Sequence, residues 1–383
     1  MAPRVVRHIV IFCGLLLLFA AVSSVSTGQD SFDRSKVKEL YEKSKRGDKL
    51  TAEEQKYLDR AIRELKKSND TKSNASKPVP PGSDEKRQEQ RSTGLKPLTE
   101  MTADDRYKGE DGGLYGGGKN EPPKSHQLLA QEALKKIASL DEQGKPSNNG
   151  KIVFISLGMS NTFGEFRMFK ELADHDEQKS PDVLLVNCAV GGAGVSSWAK
   201  RGSGTWKTVA ERLKSANVMP EQVQVAWVKH AEPGPSPDET PLQYARKVKD
   251  DIAASLAITR STFPNLQVVY LSSRIYGGYN IAGIRRVNPE PFAYETAFSV
   301  RWVIQDQIAN EKNRKVDGPV LLWGPYLWSD GVTPRKSDKL TWEREDLSND
   351  GVHPSQLGGQ KVAHLLLDFF KNDAGAKTWF VRK

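Results

Sequence analysis

Cysteine is nearly absent from this chain. Among 383 residues there are two, Cys13 and Cys188, which excludes a disulfide framework. Cys188 follows the strand-like run Asp182 to Asn187, so it reads as a buried structural thiol rather than a nucleophile. Histidine is scarce as well, at six residues. No His-x-x-x-His pair or cysteine cluster offers a metal site, and neither metal nor cofactor is expected. Long apolar runs are lacking too. The one from Ile9 to Val22 is short for a membrane span. Preceded by Arg4 and Arg7 and followed by Ser23, Ser24 and Ser26, it reads as a signal peptide over residues 1–26. A secreted, periplasmic or cell-envelope protein is therefore expected, in contact with membrane only if that segment stays uncleaved. Finally, charge of one sign is not clustered. The formal charge of +9 falls by two once Arg4 and Arg7 are removed, and the basic residues alternate with acids. Nucleic acid is not an expected partner.

What is present divides into unequal parts. Residues 30–67 read as a helical hairpin. Val37, Leu40 and Tyr41 form one apolar stripe and Tyr57, Leu58, Ala61, Ile62 and Leu65 another. Gly47 suits a helix end, and Thr51-Ala-Glu-Glu54 suits a helix start with a capping box. Two helices this short need something to pack on, so they are expected to bind an unknown partner or to self-associate. Residues 68–91 are rich in Ser, Asn, Pro and Lys and read as a disordered linker. Asn69 and Asn74 match glycosylation acceptors there.

Residues 92–383 carry an α/β pattern. Apolar, β-branched runs at 151–158, 182–190, 222–228, 267–271 and 319–323 alternate with helical spacing at 127–140, 163–174, 240–263 and 293–311. That alternation implies a parallel sheet of about five strands in a three-layer α/β/α arrangement. The loop Gly113 to Asn120 nearly spells a phosphate-binding loop. It has no strand before it, and Glu121-Pro-Pro stands where a helix should begin. It reads as an irregular loop near a pocket, with Tyr115 as a candidate sugar-stacking ring.

Chemistry is expected at the strand ends, where α/β sheets bind ligands. Ser160 stands two residues beyond the first strand, in Gly158-Met-Ser160-Asn161. A serine hydroxyl needs a base, and a base of this kind needs an orienting carboxylate. Asp350-Gly-Val-His353 supplies both on one tight turn, just before a final amphipathic segment. The glycines after the second strand, Gly191 and Gly192, suit either a plain strand-to-helix turn or backbone N–H donors for an oxyanion. Past the remaining strands lie Lys229, His230, Arg274, Tyr326 and Trp328, with Asn161 beside the serine. These are candidate substrate contacts, and Trp328 in particular is expected to face the cleft, whereas Trp323 is expected in the core. His230 is a rival base, though it lacks a neighbouring carboxylate. Ser160 is not in a Gly-x-Ser-x-Gly elbow, because Thr162 occupies the last position.

Gly158-x-Ser160-Asn161 early and Asp350-x-x-His353 late resemble the SGNH (GDSL-type) hydrolases, and within them most nearly the sialate O-acetylesterases and acetylxylan-type carbohydrate esterases. The resemblance covers residues 92–383. It implies a flavodoxin-like strand order 2-1-3-4-5, and a serine esterase acting on an acylated carbohydrate through Ser160, His353 and Asp350. It also implies an oxyanion hole formed by Ser160 with Gly191 or Gly192. The chain departs from the family after the third strand. Trp227 and Glu232 fit the pattern, but the expected Asn or Asp falls at Gly234. Lys229 or His230 would have to replace that donor. The departure also admits a non-catalytic carbohydrate-binding protein of the same fold, and the N-terminal helices and linker separately admit a cell-surface interaction protein.

Overall fold

The computed structural model describes residues 92–236, 238–280, 287–311 and 318–382, together with Lys36, Leu40, Thr51, Glu54 and Tyr57. The chain divides into two compact units, Met1–Ser83 and Asp84–Lys383. The expected leader at 1–26, the linker at 68–91 and most of the hairpin at 30–67 lie outside the described residues. Within the first unit Lys36, Leu40, Glu54 and Tyr57 are helical. Thr51 N–H donates to Glu54 Oε2 at 2.7 Å and Glu54 N–H to Thr51 Oγ1 at 3.2 Å. This is the reciprocal cap that the Thr-x-x-Glu spacing anticipates.

The second unit is built on five parallel strands, β1 (Ile152–Gly158), β2 (Val183–Asn187), β3 (Val223–Lys229), β4 (Val268–Leu271) and β5 (Val320–Trp323), in the order β2-β1-β3-β4-β5. Every residue of β1 and β3 is buried, as expected of strands covered on both faces. Each strand lies where the apolar runs place it. The second is shorter than anticipated, because the chain leaves the sheet at Cys188.

The connections supply the outer layers: α1 (Lys124–Leu134), α2 (Ser160–Asp174), α3 (Val195–Trp198), α4 (Gly204–Ser215), α5 (Pro241–Thr262), α6 (Phe292–Glu311), α7 (Gln356–Asn372) and α8 (Lys377–Phe380). Helix α2 packs with α7, and α5 packs with α6 and α3. Phe154 of β1 meets Phe166 of α2, Phe370 of α7 and Trp379 of α8 at ring-centre distances of 5.4, 4.8 and 5.6 Å. These four rings tie the serine-bearing helix to the sheet and to the last helices. Helix α1 ends earlier than its spacing predicts. Ala138 instead exchanges hydrogen bonds with the Gln224 side chain, and Leu140 pairs with Lys151.

Candidate active site

Ser160 is the first residue of α2, so β1 delivers it directly to the carboxyl edge of the sheet. Gly158 lies inside this turn at a φ of +156°, where an added Cβ would come within 2.5 Å of the Lys229 carbonyl oxygen. Only glycine lets the chain turn so close to β3. At the helix start the backbone N–H groups of Ser160 and Asn161 have no carbonyl one turn earlier, which leaves donors and the positive end of the helix dipole at the serine.

His353 Nε2 lies 2.8 Å from Ser160 Oγ. Its Nδ1 donates to Asp350 Oδ2 at 2.6 Å, which leaves Nε2 bare to accept the serine hydroxyl. The other oxygen, Asp350 Oδ1, accepts the backbone N–H of Val352 at 2.9 Å and of His353 at 3.0 Å. Burial works to raise the Asp350 carboxyl, but the bonds from the imidazole and the two backbone N–H groups outweigh it. They hold the carboxyl below its ordinary value.

The Asp350–His353 turn is braced from three sides. Asn161 Nδ2 donates to the Val352 carbonyl at 3.0 Å, so Asn161 joins the turn to the serine helix and is itself buried. Arg344 donates to the carbonyls of Leu347, Ser348 and Asn349. Gly351 takes a φ of +66° directly against the Tyr279 carbonyl. Sequence reasoning singled out Asn161 as a substrate contact and missed Arg344 and Tyr279. None of the three has a local pattern that reveals its partner.

Gly191 faces the serine, and a Cβ there would meet Ser160 Cβ at 4.0 Å. Gly192 has a φ of +76° and open space around it. Among the described residues neither N–H finds an acceptor, and both glycines are exposed. They are therefore free to donate to an added group. After β3 the residue in the family's donor position is Gly234, which has no side chain to donate. The Glu232 carboxylate accepts Ser196 N–H at 3.0 Å and Ser196 Oγ–H at 2.8 Å, and so anchors the start of α3.

The candidates to replace the missing donor are engaged elsewhere. Lys229 is buried with its ammonium on both oxygens of Glu165; burial pushes its pKa down to about 8. His230 Nε2 meets Ser255 Oγ of α5 at 3.1 Å, and burial alone pulls its pKa down to about 3. The base in contact with Ser160 Oγ is His353, while the Nε2 of His230 is turned to Ser255.

Two aromatic expectations are corrected. Trp328 is fully buried rather than facing a cleft, with Nε1 donating to Glu290 Oε1 at 2.8 Å. Tyr326 is buried too, its hydroxyl accepting the Leu98 N–H. Trp323 lies in the core as expected, bonded to the Leu114 carbonyl. Tyr115 is part-buried, its hydroxyl 3.4 Å from Trp323 N. Arg274 is buried at 4 % exposure. Cys188 is fully buried, which pushes its thiol up to about 12 and leaves it unsuited to nucleophilic work. Among the described residues no group of His, Cys, Asp or Glu is arranged to hold a metal, and no helix is long and apolar enough to cross a membrane.

No family model and no curated protein matches the chain. Solved structures do. One is a protein from Slackia heliotrinireducens described as an SGNH hydrolase, 16% identical over 57% of this chain and 99% of that one, with a TM-score of 0.30. Another is a carbohydrate esterase whose active site displays divergent catalytic and non-catalytic binding functions, 12% identical over 60% and 71%, TM-score 0.32. A third is a gut microbial diltiazem-metabolizing enzyme, 15% identical over 60% of this chain and 48% of that one, TM-score 0.35.

Proposed function

We propose that the chain is a serine esterase of the SGNH type, exported to the cell surface or beyond, that removes short acyl groups from carbohydrate. The observation that carries the reading is the unbroken hydrogen-bond chain from Ser160 Oγ through His353 to Asp350. In the proposed cycle Ser160 Oγ attacks the ester carbonyl as its proton passes to His353 Nε2. Asp350 stabilises the imidazolium that forms. The negative charge on the carbonyl oxygen is met by N–H groups of Ser160 and of Gly191 or Gly192, with the α2 dipole behind them. Collapse of the intermediate breaks the acyl C–O bond, and His353 gives its proton to the departing sugar oxygen, which leaves as a free hydroxyl. Water then attacks the acyl-enzyme by the same route, with His353 as base, and releases acetate and free Ser160.

Support for the carbohydrate part comes from the Gly-x-Ser-Asn and Asp-x-x-His motifs of the acetylesterase branch. Support for export comes from the order Arg4, Arg7, apolar run, small residues. The test is hydrolysis of 4-nitrophenyl acetate and of an acetylated-glycan panel by the full chain, against Ser160→Ala and His353→Ala. Wild-type turnover with both variants at background is expected. Equal turnover by all three proteins sinks the esterase reading. No turnover on any substrate favours the binding protein, which the acceptor character of Glu232 at the third strand end makes the second reading.

A further inference from the structure

Two consecutive exposed glycines, Gly191 and Gly192, leave a backbone free to rotate unless the chain beside them is held. The hold lies immediately before them. The peptide that joins Ala189 to Val190 is bonded on both edges. Its N–H, on Val190, donates to the Gly158 carbonyl at 2.9 Å. Its carbonyl, on Ala189, accepts from Nη1 of Arg212. The same Nη1 donates to the Asn187 carbonyl at 3.0 Å.

Arg212 belongs to the last turn of α4. Its guanidinium carbon lies 5.0 Å from the centre of the Phe163 ring, in the first turn of α2. The ring covers one face of the guanidinium and limits where its planar fork can point. Asn187 completes the frame. Its Nδ2 donates to the Phe163 carbonyl at 2.8 Å. Its Oδ1 accepts Ser156 Oγ–H at 2.9 Å and Ala189 N–H at 3.3 Å. Residues 187–190 are thus tied to Gly158 and Phe163, which flank Ser160 in the chain. A cation in the last turn of a helix suits the helix dipole, but that role needs no bond to the carbonyls of another segment.

We propose that Arg212 is a positioning residue for the oxyanion donor. By clamping the Ala189–Val190 peptide it keeps the next N–H in the chain, that of Gly191, aimed at the ester oxygen above Ser160. The proposal rests on the esterase reading and deepens it. Peptides are planar, so only the two backbone torsions of Val190 separate the clamped peptide from the donor. The guanidinium also polarises the Ala189 carbonyl, which strengthens the Val190 N–H bond on the opposite edge. Without Arg212 the Ala189–Val190 peptide is held to the serine turn by that one N–H.

The test compares full-length wild type, Arg212→Met, Arg212→Lys and Ser160→Ala. Hydrolysis of 4-nitrophenyl acetate is read as kcat and KM per folded molecule, below the Tm of each variant. Phenylboronic acid, which forms a tetrahedral adduct on an active serine, reads the oxyanion site without turnover. Arg212→Met keeps an apolar stem over Phe163 but no donor, and its kcat is expected to fall about 10- to 100-fold. KM should stay unchanged, and boronate affinity should fall in parallel with kcat. Arg212→Lys keeps the charge without the fork, so its kcat should lie between the two. Hydrogen exchange across residues 188–195 should be faster in Arg212→Met than in wild type. A wild-type kcat in folded Arg212→Met overturns the proposal, as does unchanged exchange in that segment or a loss confined to KM. If Arg212→Met does not fold, a wild-type kcat in Arg212→Lys overturns it. A wild type that hydrolyses no ester, or hydrolysis that survives in Ser160→Ala, defeats the esterase reading instead. The exchange comparison then still decides whether Arg212 holds the Gly191 segment.

Discussion

His353 reaches 2.8 Å from Ser160 although 193 residues separate them in sequence, while its other ring nitrogen is held by Asp350, three residues away. The long-range half of this arrangement depends on the fold, and the short-range half on a single turn. Asp350→Asn tests the short half alone. Asn keeps a carbonyl oxygen for the two backbone N–H groups that Asp350 Oδ1 accepts, so the turn should survive. Its amide, however, presents a donor to Nδ1 and shifts the imidazole proton to Nε2, where it blocks acceptance from Ser160. Turnover of 4-nitrophenyl acetate should fall on the order of 10³- to 10⁴-fold with little change in Tm. A drop under tenfold means the carboxylate does not set the tautomer.

Gly351→Ala should be worse for the fold than its size suggests. The position combines a φ of +66° with a Cβ site 1.8 Å from the Tyr279 carbonyl oxygen. Gly192→Ala is the control, with a similar φ of +76° and nothing within 4 Å. The left-handed backbone alone costs about 1–2 kcal/mol, which is all the control should lose. Gly351→Ala must add the displacement of Tyr279 and should lose at least about twice that in denaturant melts. Equal losses would show that the Tyr279 segment yields freely.

The contrast between these two glycines shows where the sequence was legible. The strands were readable because burial on both faces demands continuous β-branched runs, as in Ile152 to Leu157. Ser160 was readable because it follows such a run, and the Asp350–His353 pair because its geometry is local. Burial of Trp328 was not readable, since its partner Glu290 is 38 residues away. Nor was the pairing of Lys229 with Glu165, at a separation of 64. A lysine at a strand end looks the same in sequence whether it faces substrate or a buried carboxylate.

The Lys229–Glu165 pair is fully buried, and its energetics are asymmetric. Lys229→Met leaves Glu165 without its cation and should cost about 3–5 kcal/mol. The double variant Lys229→Met, Glu165→Met removes both charges, keeps similar volume, and should recover most of that loss. A double-mutant cycle read by thermal melts checks this. If the double variant is as unstable as the single one, the pair contributes more than mutual neutralisation.

Glu290 makes stability depend on pH in a direction opposite to that of most surface carboxylates. Burial raises its pKa to about 7 from an ordinary 4.5, against the hydrogen bonds from Gly277, Trp328 and Tyr294, and the nearby Asp330 charge adds to the rise. Below about 4.5 both the folded and unfolded forms carry the proton, and the group contributes nothing. Between about 4.5 and 7 the unfolded chain ionises while the folded one holds its proton. Stability therefore falls as pH rises, by at most about 1.4 kcal/mol per pH unit. Above 7 both forms are ionised, and the loss stays constant. Glu290→Gln lacks this titration. The Tm of the variant relative to wild type should therefore climb from pH 5 to pH 7 and level off by pH 8. A difference that is flat across this range means that Glu290 is ionised in the folded protein throughout.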